Sequence, residues 1–472
     1  MTKNGAEKIM NHVEKRQLIL HGNMKRVILT LALPVMLNNF IQTLYNLTDT
    51  FFVGQIGGNE VAGVQFVWPL IFLVLSFGIG MSVATSSLIA QHIGAGSLEK
   101  AKRTAGQAIL FLFFLSIVLG GIGAALAGSI VRWMGATGSL YENGATYLRI
   151  MFLGMPTTFM INTFNAVKQG QGDTVSPMIL GGVSVVFNII LDPIFIFVLG
   201  YGIAGAAYAT VIAKGVFAAI GIASVFSPKQ SMKIDLADLK PDLEYLAPII
   251  KVGLPSSLGQ ATTALGFTIL NVFLVAFGDV TLTAFAVGNR VSSLIMMPAM
   301  GIGSALATVV GQNLGADDIG RARSAVRNSL GLSIGILLIG GSIMFPFSER
   351  IVEAFIKDPE TVQSGTEYLR MIILGIPLMG IFQILIGTFQ GSGHTLSAMV
   401  IMMGRLWGIR IPVVMYMSRT PGFSPSYIWY AMIFSNLVIC LIGTAIYATG
   451  RWQHKVVEES AVEDEIISEP IG

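Results

Sequence analysis

Two aspartates stand inside long apolar runs, Asp49 in LYNLTDTFFVG and Asp192 in FNIILDPIFIF. Even on a lenient scale an aspartate at the centre of a membrane costs about 2.5 kcal/mol. Packing alone gives a poor reason to place one on each of two segments. A carboxyl pair in such surroundings can hold and release a proton near neutral pH, or ligate a small cation together with amide and hydroxyl oxygens. The structural alternative is that each acid caps a kink or pairs with a buried base. Asn188 precedes Asp192 by four residues and so shares its helical face. Further polar residues in the same half are Asn38, Asn39, Asn46, Tyr147, Asn162, Asn165 and Thr210. One membrane asparagine is usually glue between helices; several facing one interior would form a hydrogen-bonded network.

Lys214 lies four residues after Thr210, near the middle of its apolar segment. It is too deep to snorkel and is a possible charge partner; paired with Asp192, it would leave Asp49 as the useful titrating group. Arg405 and Arg410 share a later segment that has no acid nearby in sequence, and no role is assigned to them.

The elements that must hold these groups are membrane helices. Only 12% of the residues are charged and 53% are hydrophobic, against roughly a quarter charged in a soluble domain. Twelve stretches approach the roughly 20 apolar residues that a spanning helix needs. They lie near 27–54, 61–90, 104–128, 147–168, 175–199, 203–226, 247–276, 282–311, 325–346, 368–390, 396–417 and 428–449. The chain is thus expected to be an all-α membrane protein. Its parts are a polar N-terminal segment (1–26), a first lobe (27–226), a linker (227–246), a second lobe (247–450) and an acidic tail (451–472) with Glu458, Glu459, Glu463, Asp464, Glu465 and Glu469.

Lysine and arginine crowd alternate connections, before the first helix, at Lys100–Arg103, at 229–240 and at 321–327. The intervening loops hold only Arg132, Arg350, Lys357 and Arg419. That bias predicts both termini in the cytoplasm of a bacterial inner membrane. The N-terminus lacks a cleavable-signal pattern. One cysteine, Cys440, excludes a disulfide framework and a cysteine-based metal site within the chain. A net charge of +3 with no basic face gives no indication of nucleic acid. No catalytic triad, zinc spacing or phosphate loop suggests an enzyme, and neither a cofactor nor a structural metal is expected.

The halves repeat at a constant shift of 221 residues. Leu33-Pro34 recurs as Leu254-Pro255, and Gln91 with Gly94-Ala95 as Gln312 with Gly315-Ala316. Tyr147-Leu148-Arg149 with Gly154 and Pro156 recurs as Tyr368-Leu369-Arg370 with Gly375 and Pro377. Gln169-Gly170 and Gly172 recur as Gln390-Gly391 and Gly393. Six helices per copy keep the copies parallel, the geometry of two lobes rocking about a central cavity. The acids break the repeat: Asp49 falls on Leu270, and Asp192 on Val413, or on Ile411 with a small gap.

The segments 33–57, 91–103, 162–174, 188–196 (NIILDPIFI) and 202–210 (GIAGAAYAT) together resemble the multidrug and toxic compound extrusion (MATE) family, and the resemblance extends over nearly the whole chain. It implies a V-shaped pair of six-helix lobes that exports cationic, amphipathic compounds in exchange for protons or sodium ions, acting as a monomer. Asp49 then matches the first-helix acid, and Asp192, Asn188 and Thr210 the rest of the N-lobe cation site. Tyr147, Asn162, Asn165 and Asn46 match polar positions of the same lobe. Helix 7 offers Gln260 and helix 10 offers Gln383, where one branch has acids, so the sequence looks like the branch that includes the DNA-damage-inducible F proteins. Lys214 departs from the neutral residue expected there. Cavity candidates on helices 7, 8 and 10 are Gln260, Met296, Met297, Phe382 and Gln383, with methionine soft enough to fit varied ligands. The rival reading is a flippase for lipid-linked oligosaccharide, which would want several basic residues facing the centre; Lys214, Arg405 and Arg410 are the candidates. A passive channel is a third, disfavoured by the inequality of the two halves.

Overall fold

In the computed structural model, residues 12–228, 230 and 232–457 are described, so the acidic residues of the tail lie outside the described residues. The apolar runs form long helices. In the first lobe these are α2 (Met24–Ile56), α3 (Gly58–Gly94), α4 (Leu98–Trp133), α5 (Gly138–Leu153) with α6 (Met155–Gly170), α7 (Val175–Pro193) and α8 (Gly202–Val225). The second lobe has α9 (Leu243–Val275), α10 (Asp279–Gly315), α11 (Ile319–Met344) with the short α12 (Ser348–Glu353), α13 (Pro359–Gly391), α14 (Thr395–Met403), α15 (Ile411–Met417) and α16 (Pro425–Ala448). Eleven of these helices or helix runs are long and apolar enough to cross a membrane, and α5 with α6, bent by 48°, completes twelve. The chain is therefore a multi-pass membrane protein of the expected class. The helices overrun the apolar stretches at most ends, because a helix satisfies its own backbone as it leaves the hydrocarbon.

The bend at Gly154 is a departure from the continuous span expected at 147–168. A Cβ added at Gly154 would overlap Val211 of α8, so α8 packs directly on the backbone at the break. Its repeat mate Gly375 meets Ile433 less closely, and α13 runs on through Pro377 as one helix.

A second departure is helical structure in the polar N-terminal segment: α1 (His12–His21) packs where the lobes meet. Arg16 donates from Nε to the Ile93 carbonyl and from Nη2 to the Gly94 carbonyl, both at 2.8 Å. Lys15 pairs with Asp173 at 3.2 Å. From the other lobe, Arg321 donates to the carbonyls of Ile19 and Gly22. Asp238, in the linker, closes a short turn through a reciprocal cap with Asp235. Gln107 fastens that turn to α4 by donating to the carbonyls of Asp238 and Lys240.

The lobes meet along α3 with α9 and α2 with α10. At the face bearing α1, the contact obeys the repeat. Gln91 donates to the Gly391 carbonyl at 3.2 Å, and its mate Gln312 donates to the Gly170 carbonyl at 3.0 Å. Ser87 donates to the Gly391 carbonyl at 2.9 Å, and its mate Thr308 donates at 3.0 Å to the Gln169 carbonyl, one residue short of the repeat position. Small residues let the backbones come this close.

Candidate N-lobe carboxylate site and central cavity

Four helices of the first lobe converge on the two acids. From α2 come Tyr45 and Asp49, from α5 Tyr147, from α7 Asn188 and Asp192, and from α8 Thr210 and Lys214. Asp192 is fully buried and accepts from the Asn188 amide at 3.1 Å, the i, i+4 contact expected from the sequence. Its second oxygen, the Asn188 oxygen and one oxygen of Asp49 are buried without a hydrogen-bond partner. Thr210 accepts from the Tyr45 hydroxyl at 2.8 Å. Tyr147 is buried beside the group, within electrostatic reach of Asp49, Tyr45 and Asp192.

Lys214 stands over the Tyr45 ring with Nζ 5.4 Å from its centre. Its charge acts on Asp49, yet no ion pair at contact distance joins it to either acid among the described residues. Asp49 also acts on Asp192. Tyr45, which the sequence reading passed over, is a member of this cluster. Its placement one turn before Asp49 was the available signal. Asn46 is not brought in; it lies on the exposed side of α2, where its carbonyl accepts from Thr50.

At the equivalent place in the second lobe the packing is largely apolar. Leu270 is fully buried in an apolar cluster with Tyr368 and Trp429, and Val413 packs partly buried against it. Tyr368 meets Trp429 edge-on at 4.5 Å, and Phe285 stacks on Trp429. The duplicated scaffold thus carries two carboxylates in one copy and, at the equivalent place in the other, an aromatic cluster with no acid and with Arg410 against Met432 at its edge.

A cavity of about 430 Å³ lies between the lobes. Asn162, Asn165, Gln260, Phe382 and Gln383 line it, as do Asn39, Gln169 and Gln390. Met296 and Met297 do not; they are half-buried a turn away on α10, and Met300 and Met402 supply the methionine surface instead. Asp49, Asp192, Asn188, Thr210, Tyr147 and Lys214 are also absent from its walls, so the carboxylate cluster lies outside the cavity lining. No group of acids, histidines and cysteine suited to a metal ion occurs among the described residues.

Twelve candidate spans among the described residues, in two repeated lobes around a central cavity, are the architecture of a membrane transporter. The MatE family model matches residues 34–194 and again residues 255–416, one copy per lobe, and the chain belongs to this family. It is 30% identical over 437 residues to the probable multidrug resistance protein YoeA of Bacillus subtilis, covering 90% of this chain and 93% of that protein. A FAD transporter of Shewanella oneidensis is 24% identical over 446 residues, covering 92% and 96%. Among solved structures, an outward-facing multidrug resistance MATE family transporter superposes with a TM-score of 0.87 at 26% identity, over 94% of this chain and 99% of that one.

Proposed function

We propose that this MatE-family chain is a secondary active multidrug exporter that trades amphipathic, cationic compounds for protons or sodium ions through Asp49 and Asp192. The observation that carries this reading is the pair of carboxylates with unsatisfied buried oxygens in the first lobe, whose repeat positions in the second lobe hold the apolar Leu270 and Val413. A buried acid without its full set of donors is costly, and an entering proton or cation relieves that cost. Protonation of the pair removes negative charge from the N-lobe and reorders the Tyr45–Thr210 and Asn188–Asp192 contacts. Occupancy of the site then biases the lobe arrangement only through its different affinity in each arrangement. The coupling ion is the only further component, no cofactor is required, and the exporter works as a monomer in the inner membrane with both termini cytoplasmic.

The flippase reading has less support. Of the three bases that could have faced the centre, Lys214 stands over the Tyr45 ring outside the cavity lining, and Arg410 is engaged by Ser435, Met432 and Asn436. Arg405 alone reaches the cavity.

Everted vesicles loaded by a pH gradient and, separately, by a sodium gradient test the proposal with ethidium as cargo. The wild type exports dye under one of the gradients, and Asp49→Asn abolishes that export while the protein remains inserted. Undiminished export by Asp49→Asn would refute coupling through this site.

A further inference from the structure

The second lobe carries two buried arginines five residues apart, and they are not alike. Both lie on a π-helical turn, Gly404–Arg410, between α14 and α15. The first lobe has a π-turn on the corresponding helix, Ile194–Val198, directly after Asp192-Pro193. A proline lies close to each turn, Pro193 immediately before the first and Pro412 two residues after the second. Such turns are frequent at functional sites. The duplicated helices have diverged to opposite charge, an acid in the first lobe and two bases in the second.

Arg410 is satisfied. Its Nε donates to Ser435 at 2.9 Å, and its Nη2 donates to Asn436 at 2.9 Å and to the Met432 carbonyl at 3.4 Å. It does not line the cavity. Those contacts account for it as a brace between the turn and α16.

Arg405 is not satisfied. It is 6% exposed and lines the central cavity, where it is the only charged residue among the described lining residues. Its Nη1 reaches only the sulfur of Met379 at 3.2 Å, a weak acceptor. The guanidinium carbon lies 4.2 Å from the centre of the Phe382 ring, which orients it. The Nε is buried and has no partner. No carboxylate pairs with it among the described residues. A guanidinium presents a planar fork that matches a carboxylate or phosphate in bidentate fashion, and burying one unpaired is expensive unless a ligand completes it.

We infer that Arg405 is an anion subsite of the central cavity, which takes the carboxylate or phosphate of an amphipathic substrate whose apolar body lies against Phe382 and Met402. This deepens the exporter reading and rests on it: cargo that carries an anionic group as well as a cationic one engages the second lobe through Arg405, whereas a plain cation does not use it. The neutral amides of Gln260, Gln383 and Gln390 around the subsite suit such mixed-charge molecules, because they donate and accept alike.

Two dyes that differ by one group test it. Rhodamine 110 has a free carboxylate, and rhodamine 123 is its methyl ester. Binding to the purified full chain in detergent is followed by fluorescence polarisation for the wild type, Arg405→Gln and Arg405→Lys. The expected result is that Arg405→Gln weakens rhodamine 110 roughly ten- to a hundredfold, the factor a charged hydrogen bond supplies. Rhodamine 123 changes by less than about threefold, and Arg405→Lys restores part of the loss. Equal loss of both dyes would show a structural role and overturn the inference, as would no loss of either or failure of the wild type to bind rhodamine 110. Binding needs no gradient, so these outcomes stand apart from the vesicle assay, in which loss of coupling at Asp49 is read with ethidium.

Discussion

Gly94 and Gln312 touch across the boundary between the lobes so closely that a Cβ on the glycine would overlap the Gln312 carbonyl. The mate of this contact, Gly315 against the Gln91 carbonyl, is as close. The pair of contacts is a pseudo-symmetric closure of the lobes at the face bearing α1, and no side chain larger than hydrogen fits either position without parting them.

Gly94→Ala and Gly315→Ala are therefore expected to open that face, each disfavouring the closed arrangement by about 1–3 kcal/mol, the usual cost of overpacking. Spin labels at the exposed positions Arg103 and Arg323, one on each lobe, report the separation. A longer distance population appears in both variants; a distance distribution identical to the parent's would contradict the steric argument.

Gln91 and Gln312 are repeat mates with unequal burdens. Gln91 donates to Gly391 and also accepts from the amides of Val456 and Val457, whereas the Gln312 oxygen is buried without a partner. Truncating Gln91 strands buried groups on both sides, and truncating Gln312 also removes an unsatisfied atom. Gln91→Ala is expected to lower thermal stability more than Gln312→Ala does, by about 1–2 kcal/mol. Thermal unfolding of the two purified variants decides it, and an equal drop would count against the asymmetry.

The docking of α1 depends on Asp173. Burial pushes its carboxyl up, but Lys15, the Ser176 hydroxyl and Lys168 outweigh that and hold it below the ordinary aspartate value. A depressed carboxyl contributes its stabilisation above the ordinary value and loses it as the pH falls through the lowered one. The Lys15–Asp173 contact is thus expected to persist from neutral pH down to about 4, the ordinary aspartate value, and to weaken only below that. Asp173→Asn should speed amide exchange in His12–His21 roughly tenfold at neutral pH, the factor for about 1.4 kcal/mol. Exchange that responds to neither the substitution nor acid would show that the Arg16 and Arg321 contacts hold the helix without Asp173.

Asp49 and Lys214 act on each other without touching. Removing either charge leaves the other buried and less compensated, so Asp49→Asn and Lys214→Met should each destabilise. The double variant should recover part of the loss, with an interaction energy of about 0.5–3 kcal/mol in a thermal-stability cycle. Additive losses would mean that Lys214 is neutralised elsewhere, and the same cycle run on Asp192 is expected to be nearly additive.

Composition, charge distribution and the shift of 221 residues were enough to establish a two-lobed bundle of twelve spans and the confinement of both acids to the first lobe. These are properties of one dimension: the length of apolar runs, the spacing of repeats, and the types of residue at equivalent places. The Asn188–Asp192 contact was legible for the same reason, because a helix fixes what meets at four residues' distance.

What remained illegible depended on residues far apart in the chain. Gly154 and Gly375 look alike in sequence, and only the packing of Val211 against the first of them distinguishes a bent span from a continuous one. Asn46, one turn from Asp49, faces outward, whereas Tyr45 beside it turns in to Thr210. Arg405 and Arg410 read as equivalent bases until α16 supplied acceptors to one and the cavity exposed the other. Sequence determined which charges enter the membrane; the tertiary structure decided which of them are satisfied, because a partner for a buried group is found across helices rather than along one.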